Sequence, residues 1–304
     1  MTGVLPSQKI KTMIDTNQII LSNPIDEDQI QPASLDLRLG NKAYRVRASF
    51  LAGSGNTVTD RLNNFKMHEI NLQNGAVLEK GCVYVVPLME SLSLPESINA
   101  VANAKSSTGR LDLFTRCITD HGIEFDRIEK GYKGPLYAEI SPRSFSVLVK
   151  PGMRLNQIRF REGKSVLSDD ELSLMHKSIG LVDSHAQIDQ GLGFSVDLDL
   201  PNGLVGYRAK PHTGLINLDN IDYYDIDGFF DPGFGNADAG GKGSRGVLEV
   251  RCHEAPFALE HGQSVGRLVY EKMSEIPDVL YGSDLKSNYQ GQGLKLSKHF
   301  KKNK

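Results

Sequence analysis

The amino-acid sequence predicts a mainly β protein with two tandem, distorted barrel-like domains and a few short helices. Three observations lead to this prediction. Short segments alternate between apolar and polar residues, which is the pattern of half-buried strands. Pro-Gly, Asn-Gly and Asp-Pro-Gly sequences separate these segments and are typical of tight turns. Finally, a motif from the first half of the chain recurs in the second half.

The composition excludes several classes of function. The chain has 304 residues, which suffices for two domains of about 150 residues each. Its net charge of −2 leaves no excess of positive charge for a nucleic acid. The sequence has no apolar run of about 18 residues that could cross a membrane, and it begins without the apolar core of a signal peptide. Because the three cysteines are widely spaced, we expect a cytoplasmic protein without disulfides. From the net charge and the lack of a long apolar run, we expect no nucleic-acid partner and no membrane partner.

The predicted elements follow in chain order. A short amphipathic helix is expected near residues 8–16, with Ser7 as its N-cap, because Ile10, Met13 and Ile14 recur at helical spacing. Most of the remaining chain is predicted to form strands and turns. Alternation is found in residues 34–40, 136–140 and 247–251 and, less cleanly, in residues 83–88.

A polar stretch at residues 162–178 interrupts this pattern, and its part 169–176 could form one or two helical turns. We place a domain boundary here and predict a first β domain over residues 1–165 and a second over residues 166–304. The alternative is an ordinary surface loop. The internal repeat favours the boundary, because its two copies lie on either side of it.

The repeat indicates that one β domain has been duplicated. Residues 104–113 and 209–218 are identical at five of ten positions. Another landmark keeps its spacing, since Glu139 and Glu249 each stand thirteen residues before a glycine. Agreement in both order and spacing makes chance a poor explanation, so we predict two copies of one fold.

The two copies differ where chemistry could matter. Ser106, Ser107 and Arg110 of the first copy are replaced by a proline, a histidine and a leucine in the second. A purely structural role for this polar cluster predicts no such difference. We therefore expect the first copy to be the active one and the second to be degenerate.

Two features of the first copy suit chemistry on a nucleotide. Residues 105–110 combine hydroxyls, a glycine and two cations, which suits phosphate binding, although a polar turn between strands is the alternative. Glu139 shares a strand face with Tyr137 and Ser141, and partial burial there would favour general acid–base catalysis. The alternative for Glu139 is a solvent-facing strand residue. Residues 127–134 are predicted to form a charged hairpin.

Taken together, these motifs resemble the dCTP deaminase family of the dUTPase-like superfamily. Residues 32–40 (Pro-Ala-Ser-Leu-Asp-Leu-Arg-Leu-Gly) look like its early strand motif, and residues 105–110 look like its R-S-S-x-x-R motif. Further resemblances, to the substrate hairpin, the catalytic carboxylate and the tail that closes over the triphosphate, lie at residues 127–131, Glu139, Tyr281 and 289–292. The resemblance implies two dUTPase-like distorted β-barrels, and the double-length layout is similar to a longer bacterial form of the family.

The resemblance also implies roles for individual residues. Glu139 would act as general base and acid, while Ser106 and Arg110 would position the attacking water and the cytosine ring. The other implied substrate contacts are Thr119 near the base, Arg127 and Glu129 near the hairpin and sugar, and Lys105, Ser107, Tyr281 and Gln292 at the phosphates.

The implied reaction is the hydrolytic deamination of dCTP to dUTP and ammonia. It would use Mg²⁺ bound through the triphosphate and no zinc, in keeping with histidines that lack zinc-site spacing and with missing zinc-deaminase motifs. A trimer-like homo-oligomer is implied because the family's sites form between subunits, and Glu249 could complete a hybrid site with Ser106 and Arg110. The alternatives are a dUTP pyrophosphatase, a bifunctional enzyme, or a non-catalytic deoxynucleotide sensor.

Overall fold

A computed structural model describes residues 2–181, 186–195, 229–234, 258 and 260–282 of the protein. This part of the chain is mainly β, as predicted. Its helices are α1 (Ser7–Asp15), α2 (Val58–Phe65), α3 (Ser106–Gly109) and α4 (Asp169–Ile179). Its strands are β1 (Gly3–Val4), β2 (Ile19–Leu21), β3 (Leu35–Arg38), β4 (Lys42–Val46), β5 (Lys66–Asn71), β6 (Ala76–Leu78), β7 (Val83–Ser93), β8 (Ile98–Ala104), β9 (Leu113–Thr119), β10 (Arg127–Ile128), β11 (Lys133–Pro142), β12 (Val147–Val149), β13 (Arg154–Glu162), β14 (Leu192–Ser195) and β15 (Ser264–Leu268).

Two antiparallel sheets form the first half of the chain. The five-stranded sheet has the order β1-β13-β8-β10, and β3 also pairs with β13. The six-stranded sheet has the order β5-β4-β7-β11-β9, and β2 also pairs with β7. Register shifts interrupt several of these pairs, and among the described strands the sheets are distorted and do not close into barrels. Two small sheets, β6 with β12 and β14 with β15, complete the described part.

The predicted N-terminal helix is present as α1, but Ser7 is not its N-cap. Pro6 occupies that position in an extended conformation, and Ser7 is the first helical residue. Ser7 is buried, and its backbone N–H donates to the carbonyl of Pro32 at 2.9 Å. A proline supplies no N–H and its ring restricts φ, so it suits a helix start where the first N–H groups lack helical partners. The partner of Ser7 is supplied by tertiary structure, which the local sequence does not reveal.

The hydrophobic core lies between α1 and the sheets. Ile10 and Met13 of α1 belong to the same buried cluster as Ile158 and Phe160 of β13 and Leu92 of β7. Each fully buried side chain of this size contributes about 1.5–3 kcal/mol relative to an exposed one. This cluster therefore holds the helix and both sheets as one unit.

A second cluster covers the opposite face of the six-stranded sheet. Val58 and Leu62 of α2 pack there with Ile118 of β9, Tyr137 of β11 and Val85 of β7. A capping box at Thr57 and Asp60 starts α2. This face is relevant to function because it is the one that carries Glu139.

The alternating segment at residues 34–40 contains β3, but its polar residues are not exposed. All four residues of β3 are buried. Leu35 and Leu37 face the apolar core, whereas Asp36 and Arg38 face ionic partners. Both faces of the strand are therefore covered, and the alternation reflects two kinds of buried environment.

A buried ion pair joins the two sheets. Arg38 of β3 donates from Nε to Oε1 of Glu90 in β7 at 2.8 Å, and its backbone N–H donates to Oε2 of Glu90 at 2.8 Å. The amide of Gln29 also donates to Oε1 of Glu90 at 2.8 Å. Both oxygens of this carboxylate are satisfied, as a buried charge requires.

The predicted hairpin at residues 127–134 is wrong. Strand β10 pairs with β8 in the five-stranded sheet, whereas β11 pairs with β7 and β9 in the other sheet. The intervening residues therefore cross between sheets. Tyr132 fixes this crossing, because its hydroxyl donates to the carbonyl of Pro135 at 2.6 Å and accepts from the N–H of Asp120 at 3.2 Å. The pairing partner of β10 is therefore determined by tertiary packing, since β10 does not pair with β11, the next strand in the sequence.

The polar stretch after β13 contains the expected helical turns. Helix α4 begins with a capping box at Ser168 and Glu171 and ends at Gly180 in the left-handed conformation. The predicted strand at residues 247–251 and the repeated motif at residues 209–218 lie outside the described residues. The division into domains 1–165 and 166–304 stays a prediction. The described helices include none that is long and apolar enough to span a membrane.

The last described residues return to the start of the chain. The backbone N–H of Val4 donates to the carbonyl of Lys272 at 2.9 Å, and that of Ser274 donates to the carbonyl of Val4 at 2.9 Å. The side chain of Gln8 donates to the carbonyl of Ile276 at 2.8 Å. The second half of the chain thus completes the edge at which β1 lies.

Replacing Glu90 with glutamine should lower the free energy of unfolding by about 3 kcal/mol, because buried Arg38 would lose the carboxylate that its Nε contacts at 2.8 Å and keep only the partly exposed Asp26 at 3.6 Å. Urea denaturation followed by circular dichroism measures this loss. The matched control is Glu69→Gln in the exposed pair with Lys42, which should leave the unfolding midpoint nearly unchanged. Equal midpoints for both variants would contradict a structural role for the buried pair.

Candidate active site

Glu139 lies in the middle of β11 and is buried. It stands opposite Arg116 of β9 and Val85 of β7, and only 1% of its surface is exposed. Its Oε1 accepts hydrogen bonds from Nη2 of Arg116 at 2.5 Å and from Nε at 3.2 Å. Its Oε2 is buried and has no hydrogen-bond partner among the described residues. The carboxylate therefore has one occupied oxygen and one oxygen available to a ligand.

The guanidinium of Arg116 is held on several sides. Its Nη2 also donates to Oγ of Ser49 at 2.9 Å. Its central carbon lies 3.4 Å from the ring centroid of Phe125 and 4.7 Å from that of Phe114. Aromatic faces attract a guanidinium, so these rings restrict its movement. Arg116 reaches from Glu139 toward solvent, since a quarter of its side chain is exposed.

The hydroxyl- and cation-rich motif forms the short helix α3 and its flanks. Ser106 is exposed and Ser107 is buried. Thr108 anchors the turn by donating its hydroxyl to the carbonyl of Leu155 at 2.9 Å, and the N–H of Lys105 donates to the same carbonyl at 2.9 Å. The motif is therefore fixed to β13, with Ser106 on the outside.

Lys105 is paired with a buried carboxylate. Its Nζ contacts Oδ2 of Asp36 in β3, and Nη1 of Arg154 lies 3.6 Å from the same oxygen. Arg154 also donates from Nη2 to Asp28 at 2.6 Å, and this hydrogen bond lowers the pKa of Asp28 below its usual range. The early strand motif and the hydroxyl-rich motif are thus joined by one network of charges.

Three other predicted substrate residues lie elsewhere in the first half. Arg127 and Glu129 are exposed and paired to each other at 2.9 Å, and Arg127 also pairs with Glu124 at 3.1 Å. Thr119 is buried opposite Leu136, on the face of the six-stranded sheet that Glu139 does not share. These residues are not gathered around the carboxylate within the single chain.

Of the predicted tail residues, Tyr281 is described and half-buried. Its ring centroid lies 5.9 Å from that of Phe234, and its backbone N–H donates to the carbonyl of Pro232 at 2.7 Å. Gln292 and Glu249 lie outside the described residues.

Residues 229–234 of the second half pack on the five-stranded sheet. Nη2 of Arg159 in β13 lies 3.5 Å from Asp231 and donates to the carbonyl of Phe230 at 3.1 Å, and the ring centroid of Phe229 lies 4.1 Å from its guanidinium carbon. Nη1 of Arg159 lies 3.7 Å from Glu271. A segment from the second half therefore covers a charged strand of the first.

Burial has opposite effects on the two charges of this contact. It raises the pKa of Asp231 and lowers the pKa of Arg159, because each loses contact with water. The charges of Asp36 and Lys105 also act on Asp231. The segment from the second half thus lies within electrostatic range of the hydroxyl-rich motif of the first half.

The structure brings some predicted residues together and separates others. Lys105, Ser106, Ser107 and Arg110 share one turn, while Glu139 lies on β11 with Arg116 as its described partner. The turn leads into β9, whose first residue, Leu113, lies opposite Pro142 of β11. Pro142 is three residues, or about 10 Å along the strand, from Glu139. Within the described ranges, no three His, Cys, Asp or Glu side chains cluster as a metal site.

Sequence reasoning missed Arg116. Arg116 and Glu139 are 23 residues apart, and no local motif joins them. Glu139 lies in an alternating segment, whereas residues 113–119 (Leu-Phe-Thr-Arg-Cys-Ile-Thr) do not alternate, so the sequence has no signal for Arg116. Pairing them requires the register of β9 against β11, which the sequence alone does not reveal.

Comparison with known proteins places the chain in a class of deaminating enzymes. The model described as the 2′-deoxycytidine 5′-triphosphate deaminase (DCD) N-terminal domain matches residues 1–164, and that of the DCD C-terminal domain matches residues 168–228 and 223–300. The chain belongs to the dCTP deaminase family. The resemblance noted in the sequence is thereby confirmed.

A solved structure and several relatives agree with this assignment. The chain is 46% identical to a crystal structure of 2′-deoxycytidine 5′-triphosphate deaminase from Agrobacterium tumefaciens, with a TM-score of 0.80 over 90% of this chain and 99% of that one. A dUMP-forming dCTP deaminase from a Sulfurihydrogenibium species is 30% identical over 45% of this chain and 72% of its own. A dCTP deaminase from Halorubrum lacusprofundi is 29% identical over 48% of this chain and 71% of its own.

Asp231→Asn should destabilise the protein by about 2 kcal/mol, because Arg159 would lose one of its two opposite charges and keep only Glu271 at 3.7 Å, while remaining covered by Phe229. The urea midpoint measures this effect. Asp189→Asn, in an exposed pair with Arg267, is the matched control and should change the midpoint little. A midpoint for Asp231→Asn equal to that of the wild type would show that the contact contributes nothing to stability.

Proposed function

We propose that the protein deaminates dCTP by adding water to C4 of the cytosine, with Glu139 as general base and acid. The observation that carries this proposal is the carboxylate of Glu139, which is buried in a sheet with Oε1 held by Arg116 and with Oε2 lacking a hydrogen-bond partner in the described part of the chain. A buried acceptor without a hydrogen bond is costly, by about 1–3 kcal/mol. Such a cost is understandable at a position where a ligand or water completes the hydrogen bonding.

The proposed reaction balances without an added group. Oε2 of Glu139 takes a proton from water as the water oxygen bonds to C4, and the proton passes to the ring. Further proton transfer to the amino nitrogen lets the C4–N bond break and ammonia leave, so that dCTP and water become dUTP and ammonia. Ser106 and Arg110 orient the water and the ring in this scheme. No zinc takes part.

The substrate is proposed to enter as its magnesium complex. Mg²⁺ is then part of the substrate, bound to the triphosphate. The proposed phosphate contacts are Lys105, Ser107, Tyr281 and Gln292, and the proposed contacts to base and sugar are Thr119, Arg127 and Glu129. Lys105 would keep Asp36 as its neighbour while meeting a phosphate, since an ammonium has three donors.

We further propose that the complete site forms between copies in a trimer-like homo-oligomer. Glu139 is buried within one chain, whereas Ser106, Arg127 and Glu129 are exposed and free to face a second copy. Contact between residues 229–234 and the first half supports the related proposal that the two halves share sites, with Glu249 as the second half's carboxylate.

A second candidate is a bifunctional enzyme that releases dUMP. Relatives from Sulfurihydrogenibium and Dictyoglomus turgidum are named as dUMP-forming. Forming dUMP requires a second water to attack the α-phosphorus after deamination, with pyrophosphate as the leaving group. The two candidates share the first step and differ in the second.

Glu139→Gln should lower ammonia release by about 1,000-fold or more and leave dCTP binding largely intact, because glutamine keeps the shape and loses the proton acceptor. Ammonia release and dCTP affinity are measured separately in the presence of Mg²⁺. The control is Glu79→Gln at an exposed turn, which should behave as wild type. Near-normal ammonia release by Glu139→Gln would remove this residue from the mechanism.

Incubating the wild-type protein with dCTP should release ammonia and dUTP without pyrophosphate, and a zinc chelator should not change the rate. Separate assays for ammonia and pyrophosphate distinguish the candidates. Equal amounts of both products would favour the dUMP-forming reaction. Tight dCTP binding without either product would favour a nucleotide sensor.

A further inference from the structure

We infer that Arg116 is the positioning residue that gives Glu139 a single reactive oxygen. This inference rests on the proposed role of Glu139 and concerns how that carboxylate is held. An arginine often binds a carboxylate through two parallel hydrogen bonds, one to each oxygen. Here Nε and Nη2 of Arg116 both donate to Oε1, at 3.2 and 2.5 Å, and Oε2 receives neither.

This one-sided geometry is built by the surroundings of Arg116. The strand register sets Arg116 directly opposite Glu139. The hydroxyl of Ser49 takes a second hydrogen bond from Nη2 and so draws it away from Oε2. The rings of Phe125 and Phe114 lie close to the guanidinium, which limits its rotation toward a symmetrical pair.

The consequence for the reaction is orientation. With Oε1 fixed, the carboxylate plane cannot rotate freely, and the lone pairs of Oε2 keep one direction. A water that donates to Oε2 would then meet C4 from one side. Misplacing a reacting group by about 1 Å costs on the order of 100-fold in rate.

Arg116 also separates Glu139 from solvent. The side chain of Glu139 is almost wholly buried, while that of Arg116 is partly exposed. Bulk water therefore meets Arg116 before it meets the carboxylate. Replacing the guanidinium by a smaller group should let additional waters reach Glu139, and these would compete for Oε2.

The first test compares Arg116→Lys and Arg116→Ala with the wild type. Both variants should lower kcat for ammonia release, Arg116→Ala by about 100-fold, with little change in KM, since the substrate does not bind to Oε1. Lysine keeps the charge but cannot place two fixed donors on one oxygen. A folded Arg116→Lys variant, checked by its thermal midpoint, with wild-type kcat would overturn the inference.

The second test is chemical rescue. Millimolar guanidinium chloride should partly restore kcat of Arg116→Ala, and it should restore nothing in Glu139→Gln. A purely structural role for Arg116 predicts a lower thermal midpoint and no such rescue, and that result would also overturn the inference.

The matched control is Arg143→Ala. Arg143 also lies near the ring of Phe114, with its guanidinium carbon 5.6 Å from the centroid, but it has no described contact with Glu139. Its loss should leave kcat within a small factor of wild type. The outcomes separate the two proposals: if Glu139→Gln is inactive and Arg116→Ala is unaffected, the inference fails alone, and if the wild type releases no ammonia from dCTP, the proposed function fails.

Discussion

The register between β9 and β11 is the constraint on which the site depends. Residues that stand directly opposite in an antiparallel pair share a face, so this register brings Arg116 to Glu139. A slip of one residue would turn Arg116 to the other face. Apolar packing on both faces opposes such a slip, because Ile118 and Tyr137 belong to one buried cluster and Cys117 belongs to another. The hydrophobic core therefore holds Arg116 opposite Glu139, although it takes no part in the hydrogen bonds between them.

Two buried glutamates in the six-stranded sheet differ in their hydrogen-bond partners, and this difference separates a structural carboxylate from the candidate catalytic one. Glu90 and Glu139 are equally hidden from water, and each pairs with an arginine. Both oxygens of Glu90 accept hydrogen bonds, from Arg38 and from Gln29, so neither oxygen of this carboxylate is left without a partner. Within the described ranges, Glu139 keeps one oxygen that accepts no hydrogen bond. Burial alone does not distinguish these two carboxylates, whereas their hydrogen-bond partners do.

The periodicity of the sequence correctly predicted the elements whose formation depends on neighbouring residues. The period of two located β11 and the face of Glu139, and the helical spacing located α1. It failed where distant residues decide the outcome. Ser7 donates its N–H to Pro32 and is not the N-cap of α1. Strand β10 pairs with β8 in the five-stranded sheet and forms no hairpin with β11. Asp36 and Arg38, the polar residues of the alternating segment, are both buried. Arg116 was missed for the same reason, because its importance depends on a partner 23 residues away. The family resemblance supplied candidate residues, but their grouping around one substrate depends on contacts beyond one chain.

The hydrogen bonds between the two ends of the chain have a consequence for biosynthesis. Gln8 bonds to a residue 268 positions later, and Val4 of β1 donates a hydrogen bond to Lys272 and accepts one from Ser274. While the ribosome is still making the second half, this strand lacks those partners and its edge is open to other polypeptides. Contacts so distant in sequence form late and slow the search for the native state. A nascent chain of this protein thus passes through a vulnerable interval, and a chaperone or rapid elongation would shorten the exposure.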